Sequence, residues 1–275
     1  MVPFIFFILS LLTACSGVEE AQRKQIKERN ERKDLIHRLA SETHYPMEKL
    51  TLQAKAPYPW EPGFTGGHPV ITKEAFRCKG NSGNLPKTKE GDKKYLIHDC
   101  GGFSKHSLPV RDGKEFVYPI FLDILNYIQV KTGLPVVVTS GHRCPEHHNY
   151  IDPSAYSKNS KHMIGAEVDF YVVGMERKPL EVIEYIMAYY KETERYKKEK
   201  EYVNFTRLDQ VKVDISTTPW FNKEILIKLY KENEGRNLDN QHVYPYISLQ
   251  VRYDRDRKEK VVFSLDKASS GFMRH

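Results

Sequence analysis

Ser160-Lys-His162-Met-Ile-Gly165-Ala-Glu167-Val-Asp169 sets a histidine and an aspartate on either side of a glycine. From Ala166 onward the chain alternates. Ala166, Val168, Phe170 and Val172 fall on one face and Glu167, Asp169 and Tyr171 on the other, the period of a half-buried strand. Gly165 tolerates the backbone angles of a sharp bend, so His162 can fold back toward Asp169. Neutral imidazole and carboxylate are both zinc ligands, and a catalytic zinc site keeps a position for water. A His and an Asp at this spacing are common on protein surfaces, so the reading depends on what the rest of the chain adds.

Upstream, Phe116, Ile120, Ile124, Leu125 and Ile128 recur at helical spacing between Glu115 and Thr132, and Gly133-Leu-Pro135 stops the run. Pro135-Val-Val-Val138 is a short β-branched strand, and Thr139-Ser-Gly-His-Arg-Cys-Pro145 turns at its end. Downstream, Leu180 to Tyr202 is expected as one long helix and Pro219 to Glu232 as another. Tyr246-Ile-Ser-Leu-Gln-Val-Arg-Tyr253 alternates, with Ile247, Leu249 and Val251 on its core face. Lys260 to Ser264 is expected to pair with it through the charged turn Asp254 to Glu259. The sum is an α+β domain, a small, mostly antiparallel sheet with helices outside it.

The amino terminus sets the expected address. Phe4 to Leu12 is an apolar run far short of the roughly 20 residues a spanning helix needs. It has the length of a signal-peptide apolar core. Leu12-Thr-Ala-Cys15 follows, and it resembles a bacterial lipobox, in which the cysteine is lipidated. The resemblance implies an envelope protein held to a membrane through Cys15, with Ser16 after it favouring the outer membrane and the periplasmic side. Residues 16–56 read as a charged helical tether, and 57–275 as the folded domain, with 57–114 a cysteine-containing arm and 115–265 the core. The net charge of +7 comes from Lys and Arg spread among acids, which argues against a nucleic-acid role and suits acidic envelope polymers or anionic lipid. Cys78 and Cys100 bracket a polar, Gly-rich segment, and a disulfide between them suits an oxidising compartment. Cys144 is then the odd cysteine, and sequence does not settle the pairing.

The two segments Ser140-Gly-His-Arg143-Cys-Pro145 and Ser160-x-His162-x-x-Gly165-x-Glu167-x-Asp169 together resemble the zinc D-alanyl-D-alanine carboxypeptidase and dipeptidase family. Its members cleave peptidoglycan stem peptides. The resemblance spans roughly residues 115 to 255 and implies that His162 and Asp169 bind one zinc ion. It also implies that Arg143 binds substrate or stabilises an oxyanion, a role suited to a guanidinium. Two departures stand out. The family's third ligand is a late-strand histidine, and that frame carries Ser248 here, while the position of its catalytic carboxylate falls on Pro245. His242 is the expected substitute ligand, with His147 and His148 behind it. Glu167, where the family has alanine, is a displaced general base, an extra carboxylate near the metal, or a rim residue in a salt bridge; Glu234 is a more distant choice. His142 stands where the family has tyrosine and reads as structural or substrate-facing. Tyr150, Tyr156, Tyr171, Tyr244 and Tyr246 would line a groove or pack the core. The expectation is an envelope-anchored zinc peptidase acting on peptidoglycan peptides. The alternative is a non-catalytic peptidoglycan-binding or structural lipoprotein on the same fold.

Overall fold

The alternating run after Gly165 is the second strand of a six-stranded, wholly antiparallel sheet. The strands are β1 (Val136–Ser140), β2 (Glu167–Val172), β3 (Thr206–Arg207), β4 (Trp220–Phe221), β5 (Ile225–Tyr230) and β6 (Tyr246–Val251). Their order across the sheet is β1-β2-β6-β5-β4-β3. This computed structural model describes residues 20, 23–25, 27, 28, 63–89, 92–152, 159–208 and 215–274. Contacts divide the chain into the units Met1–Ala56 and Pro57–His275, and the fold given is that of the second. The apolar leader, Cys15, nearly all of the tether, and Tyr156 lie outside the described residues.

One face of the sheet is apolar. Val168, Phe170 and Val172 of β2, Ile247, Leu249 and Val251 of β6, and Ile225, Ile227 and Leu229 of β5 are all buried in the main core. Two helices contribute to it. In α1 (Pro119–Thr132), Ile120, Phe121, Ile124, Leu125 and Ile128 form the buried stripe. Proline opens α1 where its missing N–H costs nothing, and Gly133 at φ 64° closes it with its N–H on the Gln129 carbonyl. The second, α3 (Pro179–Glu192), buries Val182, Ile183, Ile186, Tyr189 and Tyr190. Between them in sequence lies the short α2 (Pro145–Ile151). The α+β architecture expected from the sequence is the one observed.

Three local expectations are corrected. The long helix from Leu180 ends at Glu192, and a separate short helix, α4, spans Lys200–Val203. The intervening turn buries Tyr196 against Tyr190 and Tyr202, which a straight, mostly charged helix would have left in solvent. The segment expected as a helix from Pro219 to Glu232 is the β4–β5 hairpin. Ile225, Ile227 and Leu229 alternate in burial with Leu226, Lys228 and Tyr230, so the period is two, not 3.6. The neighbours of β6 are β2 and β5; Glu259–Lys260 pairs instead with Tyr253–Asp254 in a short separate hairpin.

The arm holds another correction. Cys78, Cys100 and Cys144 are all free thiols, and the Cys78 and Cys100 sulfurs stand 3.8 Å apart, where a disulfide needs about 2.05 Å. The odd cysteine is drawn in beside them: Cys78, Cys100 and Cys144 are buried together with Phe272. Among the described residues no helix is long and apolar enough to cross a membrane.

Candidate metal centre

The second face of the sheet is polar, and register brings its residues into rows. Asp169 of β2 stands opposite Ser248 of β6, which stands opposite Lys228 of β5. One step along, Glu167 is opposite Gln250. At the other end Tyr246 faces Tyr230, their rings stacked 4.6 Å apart. His162 reaches this face from a 3₁₀ turn, Lys161–Ile164, which Ser160 caps by accepting the His162 N–H and Gly165 ends at φ 67°. A β-carbon at Gly165 would lie 2.7 Å from Pro109 Cγ, so both the angle and the space demand glycine.

His162, Glu167 and Asp169 each offer one ligand atom within 4.8 Å of the others, and all three are buried. His162 Nε2 lies 3.4 Å from Asp169 Oδ2 and 3.9 Å from Glu167 Oε2. The other ring nitrogen, Nδ1, donates to the Gly141 carbonyl at 2.7 Å. That bond turns the Nε2 lone pair toward the carboxylates, the outer-shell arrangement typical of a metal-binding histidine. One imidazole and two carboxylates are a suitable zinc shell with room for a fourth ligand.

The neighbours hold both carboxylates ionised. Burial alone would push Glu167 up, but Lys228, His162 and hydrogen bonds from Gln250 (2.7 Å) and Ser248 (2.8 Å) outweigh it and hold the group well below the usual carboxylate range. Burial likewise opposes ionisation of Asp169, and His162 and Arg143 outweigh it and lower its pKa. Asp169 Oδ2 accepts from Arg143 Nη2 at 3.1 Å and from Asn240 Nδ2 at 2.9 Å.

The expected site residues therefore separate. His162 and Asp169 are brought together. The third group beside them is Glu167, from the same strand as Asp169. The small Ser248 side chain leaves room for that carboxylate and donates to it. Arg143 is buried, and its guanidinium bonds Asp169, Ser140 and Asp239, so it positions the Asp169 carboxylate. His242 does not join this cluster; its ring packs against Tyr171 at 4.8 Å and Tyr246 at 5.8 Å. His147 points away from it, with Nδ1 on Asp99 at 2.7 Å and Nε2 on Asp239 at 3.0 Å. Burial opposes charge on this ring, but the two acids raise its pKa, and with both nitrogens donating it has no lone pair for a metal. Glu234 caps a loop, accepting the Ser216 and Lys231 N–H groups. His142 is a buried packing residue, edge-on to Phe272 at 5.3 Å, and burial holds its pKa down to about 3.

A cleft of about 630 Å³ opens over the cluster. Arg143, Lys161, Lys228 and Arg236 bring positive charge to its wall, Tyr230 and Tyr246 bring aromatic surface, and His148 and Asp152 stand in it as further titratable groups. A larger cleft of about 810 Å³, bounded by Lys200, Lys223 and Arg252, contains none of the three clustered ligands. Sequence reasoning missed Lys228, Asp239, Asn240 and Asp152. Lys228 was hidden because its strand was read as a helix. Asp239 and Asn240 sit in a loop whose approach to β1 and β2 no local pattern signals.

The family model described as Peptidase M15 matches residues 102–203, less than half of the chain. The matched segment contains Arg143, His162, Glu167 and Asp169 and is similar to a zinc-dependent peptidase family. Neither a curated protein nor a solved structure matches the chain.

Proposed function

We propose that the chain is an envelope-anchored metallopeptidase that cleaves peptidoglycan stem or cross-link peptides, with His162, Glu167 and Asp169 as the protein ligands of one zinc ion. The convergence of those three buried groups under a cationic cleft carries this reading. A zinc ion there would polarise a scissile carbonyl and acidify a bound water. The residues divide the remaining work. Arg143 fixes Asp169 from behind and keeps two carboxylates from repelling each other. Lys228 is engaged by Glu167, and Arg236 clamps the carbonyls of Lys231, Glu232, His242 and Tyr244, so the two give the cleft a positive field that favours an acidic peptide rather than direct partners for its carboxylates. Tyr230, half-buried on the cleft wall and backed by the buried Tyr246 ring, offers aromatic surface to a peptide backbone. Because Glu167 is held ionised by Lys228, Ser248 and Gln250, it serves as a ligand rather than as the group that gains and loses a proton. His148 and Asp152, in the same cleft wall, are the groups assigned to moving the proton between water and leaving amine. The lipobox-like Leu12 to Cys15 supports attachment to the envelope.

The deciding experiment loads the protein with zinc and follows release of D-alanine or fragments from stem peptides and cross-linked muropeptides. Hydrolysis by the wild type, abolished in Glu167→Ala and Asp169→Ala, supports the assignment. Undiminished hydrolysis by either variant refutes it. A second reading, a peptidoglycan-binding protein without catalysis, is favoured by the serine at position 248 and the proline at 245. Tight muropeptide binding with no turnover by the zinc-loaded wild type would select it.

A further inference from the structure

A second group of potential ligands lies outside the cleft. Cys78, Cys100, Cys144 and His106 each offer one ligand atom within 4.8 Å of the others, and all four are buried. They come from four separate places: the segment just after the 3₁₀ turn Lys73–Phe76, the loop after Asp92–Ile97, the first residue of the strand His106–Arg111, and the cap of α2. The geometry points to a closed, structural zinc site with a Cys₃His shell.

Distances, chemistry and surroundings agree on this. A tetrahedral zinc with bonds of about 2.3 Å to sulfur sets its sulfurs about 3.8 Å apart and its sulfur and nitrogen about 3.6 Å apart. The Cys78 and Cys100 sulfurs are 3.8 Å apart, and His106 Nε2 is 3.3 Å from the Cys100 sulfur. Three thiols meeting at one point leave any disulfide with an unpaired partner, whereas a thiophilic dication uses all three as thiolates, their protons going to solvent. Two backbone N–H groups already point at the sulfurs: Gly102 to Cys100 at 3.3 Å, and His147 to Cys144 at 3.4 Å. Such bonds stabilise charged sulfur. Around Cys100 the backbone has closed in until only glycine fits, since a β-carbon at Gly80 would stand 2.1 Å from its sulfur. Four protein ligands leave no position for substrate, so the role is structural.

The place of this site in the chain gives it a purpose. Cys144 directly follows Arg143, and Cys100 directly follows Asp99. Asp99 bonds His147, His147 bonds Asp239, and Asp239 bonds Arg143, which holds Asp169. The ion therefore fastens the arm to the turn after β1 and fixes the polar chain behind the cleft. This site stands whether or not the cleft belongs to a peptidase.

The test replaces zinc by cobalt in the full-length protein. Sulfur-to-cobalt charge-transfer absorption in the near ultraviolet is expected in the wild type, unchanged in Asp169→Ala, and weakened by about a third in Cys144→Ser, while His106→Ala should keep the band but shift the visible d–d absorption as nitrogen is lost from the shell. Titrating the wild type and Asp169→Ala with an organomercurial, which needs no variant of the four ligands, should eject one zinc per chain as the three thiols react. A wild type without the charge-transfer band, a disulfide among the three cysteines found by mass, or, in Asp169→Ala, where the cleft holds no ion, zinc that stays bound after all three thiols have reacted would each overturn the site. Loss of the band in Asp169→Ala would overturn its independence of the cleft. Failure of the peptidase assay alone would leave the cobalt spectrum as expected and so bear only on the cleft.

Discussion

Gly165 is where backbone and site constrain each other most tightly. It sits at φ 67°, and its missing β-carbon makes room for Pro109 while the turn aims His162 at Asp169. Gly165→Ala should cost more than about 1 kcal/mol and weaken metal binding together with stability; urea unfolding and zinc titration of the same variant check both. A variant as stable as the wild type would mean that the bend is not strained for other residues. Arg143 is the second such residue. Its partners Asp169 and Asp239 have side chains only 4% and 3% exposed. In the metal-free protein Arg143→Ala takes from the buried Asp169 and Asp239 carboxylates the guanidinium they share, leaving them only the His162 and His147 rings, at a cost of about 3 kcal/mol. A measured loss below about 1 kcal/mol would show that water reaches the pair.

Among the elements, the β2–β6 register decides which residue completes the cluster. Ser248 sits opposite Asp169, at the position where the resembled family carries histidine, and Glu167 bonds it from two residues along β2. The two are therefore spatial alternatives. Glu167→Ala should abolish zinc binding in the cleft, and Glu167→Ala with Ser248→His should restore it by supplying a ligand from β6 to the space vacated on β2. Calorimetric zinc titration of the two variants decides, and a double variant as weak as the single one would separate Ser248 from the site. The sequence could show that Ser248 was not a ligand. It could not show that a neighbouring strand would supply the replacement, because two residues 81 apart in the chain meet only through the sheet.

For the whole molecule, one buried acid links stability to pH. Glu224 follows the β4–β5 turn, accepts from Tyr190 at 3.0 Å and Tyr196 at 3.3 Å, and is pushed by burial up to about 7 from an ordinary 4.5. Below pH 4.5 it is protonated in both folded and unfolded chains, and between 4.5 and 7 the unfolded chain releases a proton that the folded one retains. This group's contribution therefore falls as pH rises through that window, by about 3 kcal/mol, and levels off above it. Glu224→Gln should flatten this slope, measured by denaturant unfolding at pH 5 and pH 8; equal slopes in both proteins would mean that the carboxyl is ionised in the fold. The α+β class, the two short motifs and the core faces of β2 and β6 were legible in the sequence, because period and glycine placement are local properties of the chain. So were His162 and Asp169, seven residues apart around one turn. The β5 strand was misread because an apolar run of that length suits helix and strand alike until its neighbours are known. Only tertiary structure placed Glu167 beside Ser248, removed His242 from the cluster, and gathered Cys144 with Cys78, Cys100 and His106, since a site assembled from distant segments depends on which backbones the core packs together.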